Sequence, residues 1–76
     1  MDRSLLNDCL ASANKHLAEG EQQIKRQREH IFKLRQAGSS ISAAGLALST
    51  LVELQTVRVA DRNRLKALLA SRQRPP

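Results

Sequence analysis

The sequence predicts an all-α fold, an antiparallel, coiled-coil-like hairpin of two long helices, and three observations carry that prediction. Two stretches without interior proline, each about thirty-five residues long, place Leu, Ile or Ala at helical spacing. Ala37-Gly38-Ser39-Ser40 is the one convincing turn between them. Phe32 is the only aromatic residue in the 76-residue chain. The apolar content is therefore Leu, Ile, Val and Ala, which fit between helices better than they fill a conventional globular core.

The first helix is expected over about residues 3–36. Asp2 or Ser4 can accept from the unpaired amides of its first turn. Lys33 and Arg35 fall near its C-terminal end, where the helix dipole favours cations. Leu6, Leu10, Ala13, Leu17, Gly20, Ile24, Gln27, Ile31 and Leu34 follow one another by alternating steps of four and three. That is an unbroken heptad seam, with Gly20 and Gln27 as its two exceptions. Gly20 gives up about 1 kcal/mol of helix propensity relative to Ala. It reads either as a gap that admits a large side chain or a close backbone, or as local weakness. Gln27 reads either as a polar knob that sets register or as a position partly facing solvent. Glu21–Lys25 and Glu29–Lys33 belong to a solvated face, each Glu four residues before its Lys.

Gly38 suits the left-handed position that closes a helix, and Ser39 or Ser40 suits the cap of the next, so the turn is placed at 37–40. The second helix is expected over about 41–72, with Pro75-Pro76 ending a frayed tail over 73–76. Its apolar pattern is broad. Three adjacent heptad rows, Ala44-Leu51-Arg58-Leu65, Ala47-Leu54-Asp61-Leu68 and Ile41-Leu48-Gln55-Arg62-Leu69, form a broad apolar face at both ends of the helix, interrupted in the middle by polar Gln55, Arg58, Asp61 and Arg62. Leu48, Leu51, Leu54, Leu65 and Leu68 are expected in the seam. Folding the chain at residues 38–39 pairs residues whose numbers sum to roughly 77, setting Glu19 against Arg58 and Lys15 against Asp61 and Arg62. Two ion pairs, Glu19–Arg58 and Lys15–Asp61, are expected to fix that register.

Leu5, Cys9, Phe32, Leu46, Val52, Val57 and Val59 fall off the seam, and Gln36 to Val52 carries no charge. A hairpin with that much bare apolar surface is expected to self-associate. The expected assembly is a homodimer, two hairpins forming a four-helix bundle with the small-residue stretch Ile41 to Leu48 inside.

Composition narrows the chemistry. Thirteen Lys and Arg against seven Asp and Glu give a formal charge of +6, which favours weak attraction to acidic partners. Cys9 is the single cysteine, so an intrachain disulfide is impossible and a reducing compartment fits best. Asp2 and Arg3 follow Met1 without an export signal, and no apolar run approaches the roughly 20 residues of a membrane span. The expected location is the cytoplasm, with no membrane partner. Gly-rich phosphate loops, zinc spacings and nucleophile signatures are absent, and no cofactor is expected. His16 and Glu19 could supply two metal ligands per chain, too few to predict a site. Cys9 reads as a packing thiol.

Lys25, Arg26, Arg28, Lys33 and Arg35 cluster towards the turn; Arg58, Arg62, Arg64, Lys66, Arg72 and Arg74 cluster towards the termini. The first group are the candidate phosphate contacts of a nucleic-acid-binding reading. Interspersed Glu21, Glu29, Glu53 and Asp61, and the lack of an aromatic platform, weigh against it.

The run KHLAEGEQQIKRQRE (Lys15 to Glu29), with Glu53-Leu54-Gln55 and VADRNRL (Val59 to Leu65), resembles a group of short helical proteins of α-proteobacteria. The resemblance covers most of the chain and implies a helical protein; no enzyme chemistry attaches to the motif, and it brings no site residues with it. Members of that group look more polar around the turn than Ser39 to Leu48 does here. Two functions follow. The first is a non-enzymatic interaction or structural module that self-associates and offers a helix face to a protein partner. The alternative is a small basic protein that contacts nucleic-acid phosphates without sequence preference.

Overall fold

The structure, a computed structural model, describes residues 3–73. Helix α1 spans Arg3–Gln36 and helix α2 spans Ser42–Gln73. They pack side by side and antiparallel in a rod of 61 × 15 × 14 Å. All regular structure among the described residues is helical. Gln73, expected in the tail, belongs to α2. Asp2 as a cap, the side chain of Arg72, and Arg74 with the rest of the tail lie outside the described residues.

The turn is built as the residue types require. Gly38 has φ of 72°, the left-handed region that a side chain disfavours. The Ser39 amide donates to the Leu34 carbonyl at 2.9 Å and the Gly38 amide to Arg35 at 3.1 Å. This is a Schellman closure, which satisfies carbonyls that the end of α1 would otherwise leave open. The start of α2 departs from expectation. Its first carbonyl acceptor is Ile41, which takes the Gly45 amide at 2.7 Å, so Ile41 holds the capping position. Ser40 stands one residue too early, and its hydroxyl reaches the Ser42 amide only at 3.4 Å. Ile41 is half-buried at the tip of the seam. At this end of α2, apolar packing takes the position that a serine cap would otherwise favour.

The inner seam of α1 holds the expected residues. Leu6, Leu17 and Gly20 are buried, while Leu10, Ala13, Ile24, Gln27, Ile31 and Leu34 are half-buried. Cys9 and Val59, expected away from the seam, are half-buried at its edge. On the other side of the seam, Ile41 and then Ala44, Leu48, Leu51, Gln55, Arg58, Arg62, Leu65 and Leu69 of α2 are covered, again alternating steps of three and four, with Gly45 half-buried beside them. Two of the three candidate rows thus face α1, and the third does not. Leu54 and Leu68, expected in the seam, are 43% and 46% exposed. Each precedes a true seam residue, Gln55 or Leu69, and one residue is about 100° of helix rotation.

Leu17 and Gly20 face Gln55 and Arg58 across the seam. Glu19, between them in the chain, and Lys15 are exposed, turned away from α2. Among the described residues neither expected ion pair forms: Asp61 pairs with Arg64 on its own helix at 3.6 Å.

Candidate interaction surface

Polar side chains, rather than ion pairs, tie the two helices together. Gln27 of α1 donates from Nε2 to the Ala44 carbonyl of α2 at 2.9 Å. Gln55 of α2 donates from Nε2 to the Leu17 carbonyl of α1 at the same distance. Each amide thus grips the other helix's backbone, one near the tip and one near mid-length. A shift of one residue along the helix would break both bonds. Gln27 is therefore a register device, and Gln55, which sequence reasoning treated as an interruption, is its counterpart.

Gly20 makes the second grip possible. A Cβ at residue 20 would run into the Gln55 side-chain oxygen and lie 2.8 Å from an Arg58 guanidinium nitrogen. The Gln55 Oε1 is buried without a hydrogen-bond donor and fills the space that a Cβ at residue 20 would take. The glycine is a gap filled by large polar side chains, the first of its two readings.

Away from the seam, α2 differs from α1 in leaving apolar residues bare along its outer side. Leu46 is 72% exposed, Val57 56% and Leu68 46%. They recur every eleven residues, which on a helix with 3.6 residues per turn holds them close to one line. Leu54 flanks that line, and Thr50 lies on it with its hydroxyl donating back to the Leu46 carbonyl at 3.2 Å. The stripe runs roughly a third of a turn round the helix from the seam. The eleven-residue recurrence is the signal that could have found it in the sequence. Val52 is exposed on the other flank of α2, and Phe32 on α1.

The small-residue stretch is not tightly covered by α1. A Cβ at Gly45 would meet no atom within 4 Å. The best-covered leucines, Leu6, Leu17 and Leu69, lie towards the termini and mid-length, and Ile31, Leu34 and Ile41 near the tip are only half-buried.

The five candidate phosphate contacts, Lys25, Arg26, Arg28, Lys33 and Arg35, are all exposed on α1. They do not form one stripe. At 100° per residue, Arg26 and Lys33 share the back of the helix, Arg28 and Arg35 share a flank, and Glu21 and Glu29 stand among them. Of the residues once expected to form ion pairs, Arg58 is half-buried, and with Ala13, His16 and Asp61 it lines a shallow pocket. Lys15 and Glu19 are exposed. Among the described residues no three His, Cys, Asp or Glu side chains come together as a metal site, and no helix is long and apolar enough to cross a membrane.

Fold and surface together define a helical hairpin with a polar-locked seam and exposed apolar residues on the outer side of α2. Comparison with protein-family models, curated proteins and solved structures finds no match for the chain.

Proposed function

We propose that this chain is a non-enzymatic helical interaction module, a hairpin that self-associates into a four-helix bundle, with a homodimer as the working unit. The single observation that carries the reading is the exposed apolar stripe of α2, with Leu46, Val57 and Leu68 bare along a helix whose other side is already packed. Isolated apolar residues on a surface need no explanation; here three share one line of α2, with Thr50, Glu53, Asp61 and Arg64 between them and Leu54 beside them. The thin cover over the charge-free tip adds to it. The reading places the protein in the cytoplasm, where the lone Cys9 stays reduced. A protein partner could use the same face only by displacing the second hairpin.

Light scattering at micromolar concentration tests the proposal: the expected mass is twice that of the chain, and a well-folded monomer overturns it. A second reading, weak contact with nucleic-acid phosphates, draws on the five exposed cations of α1, none of which is ion-paired among the described residues. Retention on a random DNA duplex at low salt, lost steeply as salt rises, is the result that would promote it. Absence of retention removes it.

A further inference from the structure

We infer that the half of α1 nearest the turn is a face for single-stranded nucleic acid, with Phe32 stacking on an unpaired base and Lys25, Arg28 and Arg35 holding the phosphates beside it. This rests on the phosphate-contact reading and specifies its strand type and its residues.

Charge is unevenly divided along the rod. Gln55 reaches Leu17 and Gln27 reaches Ala44, so residues 22–52 make up the half nearest the turn. That half holds Lys25, Arg26, Arg28, Lys33 and Arg35 against a single acid, Glu29. The other acids of the described residues, Asp8, Glu19, Glu21, Glu53 and Asp61, lie in the half nearest the termini. Helix α2 brings no carboxylate to the turn half, because Ser42 to Val52 is uncharged. All five cations are exposed, and none is ion-paired among the described residues. From Lys25 to Arg35 the helix rises about 15 Å at 1.5 Å per residue, room for several consecutive phosphates of one strand.

Phe32 stands among these cations. It is the one aromatic residue of the chain, and it is 60% exposed rather than packed in the seam. Lys25, seven residues before it, lies on the same line of α1. Arg28 and Arg35, four before and three after, lie on the next line towards the seam. Glu29 borders Phe32 on the other side, four residues before Lys33. A phenyl ring beside two guanidiniums offers a flat apolar surface where phosphates are held, which suits an unpaired base. In a duplex the bases already stack on one another and leave the ring nothing to cover. An anionic lipid surface would use the same cations but has no need of a flat side chain; a leucine would serve it as well.

Fluorescence anisotropy of the full-length chain with a labelled oligothymidine, and with a duplex of equal length, tests the inference at low salt. The single strand is expected to bind several-fold more tightly than the duplex. Phe32→Leu is expected to weaken strand binding about five-fold or more, while Phe32→Tyr, which keeps the ring, stays within about two-fold. Far-ultraviolet circular dichroism is expected to stay helical in both. The pair Arg28→Gln and Arg35→Gln is expected to lower the slope of log affinity against log salt by about 1.4, at about 0.7 per phosphate contact on a single strand. Phe32→Leu binding the strand as well as the native chain does would overturn the inference and leave phosphate contact alone standing. So would binding to phosphatidylserine vesicles without binding to the oligonucleotide, which would make the face a lipid contact. A chain that binds neither strand nor duplex at low salt removes both the inference and the reading beneath it.

Discussion

The two helices are nearly equal in length, 34 and 32 residues, and contribute equally to one seam, yet their backs are unlike. The back of α1 carries Asp8, Lys15, Gln22, Arg26 and Lys33, all exposed and all polar. The outer side of α2 carries exposed Leu46, Val57 and Leu68 among Thr50, Glu53, Asp61 and Arg64. A helix with one apolar side has a single way to face its neighbour, and its place follows from periodicity. A helix with two apolar sides has a choice, and the side left over is available to a further contact.

The largest test of that contrast sets an inner leucine against an outer one. Leu6 is 1% exposed, and Leu6→Ala is expected to destabilise the hairpin by about 2–5 kcal/mol in urea unfolding. Leu46→Ala, measured at high dilution, is expected to change it by no more than about 0.5 kcal/mol. Equal losses would erase the distinction between seam and stripe.

Next is the place where α1 yields to α2. Gly20→Ala gains about 1 kcal/mol of helix propensity but displaces Gln55 from the Leu17 carbonyl. The expected result is a loss of about 1 kcal/mol in the native background and a gain of about 1 kcal/mol when Gln55→Ala is also present. A double-mutant cycle by thermal unfolding reads this directly, and additive effects would show that residues 20 and 55 do not share a space.

The turn gives a smaller effect. Gly38→Ala forces a side chain into φ of 72° and is expected to cost about 1 kcal/mol, whereas Gly45→Ala, in open space on a helix, is expected to stabilise by about as much. Chemical denaturation of the two variants side by side separates a glycine the backbone needs from one it does not.

The smallest effect expected is the one the sequence made prominent. Glu19 and Arg58 do not pair, so reversing both charges is expected to show a coupling of less than about 0.3 kcal/mol. A clear rescue in the double reversal would show that the two side chains meet after all.

How much was legible follows from the same contrast. Every seam residue of α1 from Leu6 to Leu34 could be read in advance, because polar residues on the remaining faces left one solution. For α2, Leu48, Leu51 and Leu65 were placed correctly. Leu54 and Leu68 were not, since a row containing Gln55 and Arg62 looks poorer in isolation than one containing Leu54 and Leu68. The row was selected because Gln55 reaches the Leu17 carbonyl through the gap at Gly20, and Leu69 buries beside the termini. Neither partner is close in sequence, so no local pattern announces them.

By itself, then, the sequence determined two long helices, one glycine-closed turn between them and the inner face of α1. These depend on propensity, capping and periodicity, which act over a few residues. Only the tertiary structure decided the rotation of α2, the register, and the polar grips that hold it. Those depend on which side chains fit into which gaps across two helices, and a helix apolar on both sides can be turned correctly only by its neighbour.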